Sequence, residues 1–247
     1  EIETAVPPLS TKDYEIPFAI LRADDKDQKK DTDAEYTLTV SFRLKEDMSW
    51  ADAGHEVAFG QKIYKKIPAF HASEKPIRVV HGKVNIGVKG EDFDCLFSML
   101  SGGLVSYRYA GKEMIEKIPM PNFWRAPVDN DNGSMAPARY AQWKIASMYI
   151  SHRNGGMFDN VPTKVEEKDN TVTVTYTYFM PTTPAGKCQV SYTVFGDGTI
   201  ETKLMYDPVE GLPDMPEFGM MFQFNADYDN LTWYGMGSEE TYADRRH

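Results

Sequence analysis

The strongest constraint in this 247-residue chain is a period of two. Tyr36, Leu38, Val40, Phe42 and Leu44 alternate with Glu35, Thr37, Thr39, Ser41 and Arg43, which gives an extended segment one apolar and one polar face. The pattern returns at Val172, Val174, Tyr176 and Tyr178 with threonines between them. It recurs at Cys188, Val190, Tyr192 and Val194, then at Ile200, Thr202, Leu204 and Tyr206. The stretch FGDGTIE, Phe195 to Glu201, joins the last two runs, and its Asp-Gly supplies the positive φ that a tight hairpin needs. These are half-buried antiparallel strands, so the fold class is all-β. One segment departs from the rule. Residues 136–148 (APARYAQWKIASM) lack alternation, Ser134 is suited to cap a helix start and Pro137 suits a first turn. One short helix is predicted there.

Composition narrows the partners. The formal charge of −10 is the wrong sign for nucleic acid, which needs a basic face. No run of about 18 apolar residues is present to span a membrane. The opening EIETAVPPLS has neither a basic nor an apolar signal region, so no signal peptide is read, and the compartment stays open. Cys95 and Cys188 are too few for a zinc site or a disulfide framework and sit in alternating runs, which predicts buried free thiols. A boundary is expected near residues 72–76. Before it, YEIPFAILR, the Tyr36 run and HEVAFGQKIY supply about three strands, too few for an immunoglobulin-like sandwich of about seven. Both ends therefore read as cut from something larger.

Candidate chemistry gathers in NFWRAPVDNDNG, Asn122 to Gly133. An EF-hand loop does not fit, because Gly133 at position 6 puts Val128 at position 1, and Asp129 at position 1 puts Tyr140 at 12. Asp129 and Asp131 would lie about 7 Å apart on one face of an extended segment, a spacing open to glycoside chemistry but met by any D-x-D. Glu239 and Glu240 raise the same suspicion with no better warrant. The competing reading has Asp129, Asn130 and Asp131 closing local turns. No serine elbow, catalytic-cysteine context, phosphate loop or zinc-spaced histidine pair occurs. An epimerase-like His–Glu pair is also not evident, since neither His81 nor His152 has an obvious glutamate partner in the sequence.

Three phrases resemble one known family. PNFWRAPVDNDNG and LTWYGMGSEETYADR are similar to the C-terminal region of bacterial β-galactosidases of glycoside hydrolase family 2. The second phrase matches through Trp233, Gly235, Gly237, Glu240, Tyr242, Asp244 and Arg245, with Ser238 where proline is usual. Upstream, Ala53 to Gln61 resembles the end of the family's second immunoglobulin-like domain.

The resemblance implies an anatomy. Residues 1–72 would be closing strands of an immunoglobulin-like sandwich. Residues 76–247 would be most of a galactose mutarotase-like supersandwich, truncated at its C-terminus. The family's catalytic glutamates lie on a (β/α)₈ barrel absent from this sequence, so the chain is expected to be inactive alone and to carry no catalytic residue. It would pack on the barrel of a parent enzyme that hydrolyses terminal β-D-galactosides with retention. By the same resemblance that parent is a homo-oligomer using Mg²⁺ and a monovalent cation, with no cofactor held by this chain. Phe123, Arg125, Asp129, Asn130 and Asp131 would shape the rim of the sugar site, Arg125 through its planar five-donor fork. A free-standing carbohydrate-binding module built on Trp124 and the Asp129–Asp131 loop is the alternative.

Overall fold

The computed structural model describes residues 6–15, 36–65, 73, 75–153 and 163–233. These fall into two compact units, one within residues 1–71 and one within Ala72–Gly235. In the first, β1 (Tyr36–Arg43) pairs antiparallel with β2 (Glu56–Lys65), Val40 facing Gly60 and Phe42 facing Ala58. Gly54, at φ +88°, turns the chain back, its N–H donating to Leu44 O at 2.8 Å. No described side chain of this unit is buried. The strand expected over YEIPFAILR lies largely outside the described residues.

The second unit is a sandwich of two antiparallel sheets. β3 (Arg78–His81), β4 (Asn85–Lys89), β5 (Phe93–Ser98), β6 (Gly103–Tyr109) and β7 (Lys112–Glu113) form one layer in sequence order. The other runs β12-β11-β10-β9, from β9 (Lys164–Lys168), β10 (Thr171–Met180), β11 (Gly186–Val194) and β12 (Ile200–Tyr206). β8 (Met120–Asn122) pairs separately with β13 (Gly219–Met221).

Alternation explains the core. Val172, Val174, Tyr176 and Tyr178 of β10 and Cys188, Val190, Tyr192 and Val194 of β11 all point inward and are buried. They meet Ile86, Val88, Cys95, Phe97 and Leu104 from the other layer, with the Phe97 and Tyr192 rings 5.6 Å apart. Burying three tyrosine rings and half-burying a fourth, Tyr107, obliges their hydroxyls to find partners. Tyr178 donates to Gly102 O, Tyr176 to Gly103 O (3.4 Å), Tyr192 to Pro119 O (3.3 Å) and Tyr107 to Gly198 O (2.9 Å). The FGDG hairpin forms as expected: Gly198 takes φ +92° and Val194 pairs with Ile200.

Both cysteines are free and buried. Burial pushes the Cys188 thiol up to about 12 and the Cys95 thiol higher still, so neither is a nucleophile at neutral pH.

Two local expectations are corrected. The predicted single helix is split into α2 (Ala136–Arg139) and α3 (Ala141–Tyr149), because Tyr140, at φ −103° and ψ 9°, caps both. A further helix, α1 (Asp129–Gly133), precedes them. Ser134 does not start α2. It lies at φ −93° and ψ 4°, outside the extended geometry of an N-cap, and closes α1 instead. Pro137 does sit in the first turn. Among the described residues strand remains the dominant regular structure.

Candidate functional site

β8 delivers the chain into the sequence's suspicious stretch, and Phe123 anchors it. That side chain is 0% exposed, 5.8 Å from Trp143 and stacked 6.3 Å from Phe218. Its N–H donates to Ser147 Oγ at 2.8 Å, and Ser147 Oγ donates to Trp143 O at 2.9 Å, so α3 holds the strand's exit. Trp124 is partly buried against the same core, and Asn122 Nδ2 donates to its carbonyl at 2.8 Å.

Arg125 then reaches forward over six residues. Its Nη1 donates to Asp131 Oδ2 at 2.6 Å and its Nη2 to Oδ1 at 3.2 Å, a two-pronged charged pair of the kind a planar fork favours. Asp131 Oδ2 also accepts the Val128 N–H at 2.9 Å, which satisfies one of the donors left open at the start of α1. The Arg125 hydrogen bonds, followed by the Val128 N–H, hold the Asp131 carboxyl below the usual aspartate range. Because the folded value lies below the unfolded one, this carboxylate favours the folded loop above the ordinary aspartate pKa. That contribution disappears as pH falls through the lowered folded value.

The extended D-x-D geometry is therefore not realised. Asp129 and Asp131 occupy the first turn of a helix, and their roles separate. Asp131 spends both oxygens inside the loop. Asp129 and Asn130 are exposed, and their side chains make no hydrogen bond among the described residues. Trp124, Arg125, Pro127, Tyr140 and Pro216 line a shallow recess beside the clasp. A separate groove of about 400 Å³ shares Trp143 and Phe218 with the Phe123 cluster and carries one carboxylate, Asp214, among apolar walls. Neither offers two facing carboxyls.

No group of three or more His, Cys, Asp or Glu side chains able to hold a metal occurs among the described residues. His81 does have a glutamate partner, contrary to the sequence expectation: its Nε2 lies 2.6 Å from Glu167 Oε1. The pair is half-exposed and joins strands β3 and β9, which are edge strands of the two sheets. His152 Nε2 is buried without a partner, and burial followed by the neighbouring Arg153 charge pulls its pKa down. Glu239 and Glu240 lie outside the described residues, as does the suspect phrase beyond Trp233.

The sequence missed the Arg125–Asp131 clasp and α1. A proline followed by an acidic first turn, Pro127 then Asp129-Asn130-Asp131, was the available signal for a helix start.

Comparison with known proteins decides the family. Residues 89–247 match the family model described as β-galactosidase small chain. The chain belongs to that family. Residues 1–64 match a second model, β-galactosidase domain 4. A β-galactosidase of Clostridium acetobutylicum is 42% identical over 213 residues, covering 85% of this chain and 23% of that protein. One from Halalkalibacterium halodurans is 42% identical over 224 residues, covering 89% of this chain and 21% of its own length. A β-galactosidase small subunit of Latilactobacillus sakei is 36% identical over 185 residues, covering 70% of this chain and 58% of the subunit. The chain thus spans about a fifth of the two longer relatives. Among the described residues no helix is long and apolar enough to cross a membrane.

Proposed function

We propose that this chain is a non-catalytic portion of a β-galactosidase that hydrolyses terminal β-D-galactosides with retention, and that it shapes the rim of the sugar site. The observation that carries the reading is the family match over residues 89–247, which includes a fixed loop displaying Asp129 and Asn130. One carboxylate and one carboxamide side by side suit the vicinal hydroxyls of an uncharged sugar. Phe123 and Arg125 anchor the loop, and Trp124 is partly spent on the core. Residues 1–72 belong to an immunoglobulin-like sandwich and residues 76–247 to a mutarotase-like supersandwich whose partner is the catalytic barrel. The whole enzyme is a homo-oligomer. Its Mg²⁺ and monovalent cation we assign to the catalytic barrel.

The test is a chromogenic β-galactoside assay. The purified chain alone gives no turnover above buffer, and mixing it with a polypeptide supplying the barrel restores hydrolysis. Turnover by the chain alone would overturn the reading.

A further inference from the structure

Three side chains of the D-N-D stretch look equivalent in sequence, and the structure separates them. We propose that Asp131 is a positioning residue, one that touches no ligand but fixes where Asp129 and Asn130 stand; this rests on the rim reading above. One atom, Oδ2, takes both Arg125 Nη1 and the Val128 N–H, tying residues 125, 128 and 131 into a closed unit, while Oδ1 takes the second prong. Between these ties the backbone has little support of its own. Pro127 has no N–H to give, and the other bonds across the stretch include Arg125 Nη1 to Ala126 O (3.2 Å), Asn132 N–H to Val128 O (3.1 Å), Ser134 N–H to Asn130 O (3.1 Å) and Ser134 Oγ to Asp131 O (3.2 Å). The side-chain clasp therefore sets the loop's geometry.

The clasp also sets its charge. Arg125 neutralises Asp131, so the loop shows its surroundings a single negative group, Asp129, next to a neutral amide. Freed from the clasp, Asp131 would add a second negative charge two residues from Asp129.

The experiment uses the full-length polypeptide that carries this chain, with o-nitrophenyl β-D-galactoside as substrate. Hydrogen exchange is read on peptides spanning residues 126–135. Asp131→Asn and Arg125→Lys, which keeps the charge but removes the fork, each speed exchange there by about tenfold, since a loop held by few bonds opens locally once its tie is cut. In both variants KM rises about tenfold while kcat stays within about threefold, because the displaced groups bind and position sugar rather than react. Asp131→Glu restores both readouts to within about threefold of wild type, as the carboxylate can still accept from the fork. Asp129→Ala raises KM without changing exchange. Exchange within about twofold of wild type in both Asp131→Asn and Arg125→Lys would overturn the proposal, whatever the kinetics. Faster exchange with an unmoved KM upholds the clasp and removes the rim reading beneath it. Should Asp131→Asn fail to fold, Arg125→Lys carries the same two readouts.

Discussion

The hairpin β1–β2 and the hairpin β10–β11 are written in the same two-residue alternation, yet they live in different surroundings. In β10–β11 the inward set is sealed: Val174 and Tyr192 are both 0% exposed. In β1–β2 the comparable large residues stay open, with Phe42 at 50% and Phe59 at 51%. Both are antiparallel and of similar length. The difference lies in what covers them. The β10–β11 face has a second sheet across it, contributing Phe97 and Ile86, whereas no described residue closes over the β1–β2 side chains. Alternation thus specifies a strand and a face, and a second layer converts that face into stability.

Substitution tests the contrast directly. Phe97→Ala removes a fully buried ring from the sandwich and should cost about 3–5 kcal/mol in urea unfolding. A loss under about 1 kcal/mol would show that the two sheets do not share a packed interior. Tyr178→Phe keeps the ring and deletes only the hydroxyl that donates to Gly102 O, so a loss of about 1 kcal/mol is expected. That result separates ring packing from hydroxyl pairing in the same layer. Phe59→Ala should move stability by no more than about 0.5 kcal/mol. If it costs as much as Phe97→Ala, the hairpin has a cover of its own and the contrast collapses.

The strands were legible because alternation is a local property. Val172 to Tyr178, Cys188 to Val194 and the FGDG turn announced their partners as well as their faces, since a five-residue connection leaves little choice of register. The candidate site was legible only in part. Its residues were found, but their division of labour was not, because that depends on Arg125 reaching six positions along the chain to Asp131. No periodicity encodes such a reach. The three carboxyl and amide groups read alike until a helix turn sends one inward and two outward. Likewise the break at Tyr140 is invisible in APARYAQWKIASM, whose residues all tolerate a helix, and the His81–Glu167 pair joins positions 86 residues apart.

The four tyrosine hydroxyls crossing the sandwich have a consequence for synthesis. Their bonds span 73, 76, 73 and 91 residues of sequence. Contacts so distant cannot nucleate folding cheaply, and they form only after a long loop has closed. At about 5–20 residues per second, the sheet β3–β7 waits roughly 4–18 s on the ribosome before the strands carrying its partners are made. During that interval Ile86, Val88 and Phe97 face water on a nascent layer with open edges, the kind of surface that chaperones cover. The struts that lock the finished sandwich thus also define its most vulnerable moment.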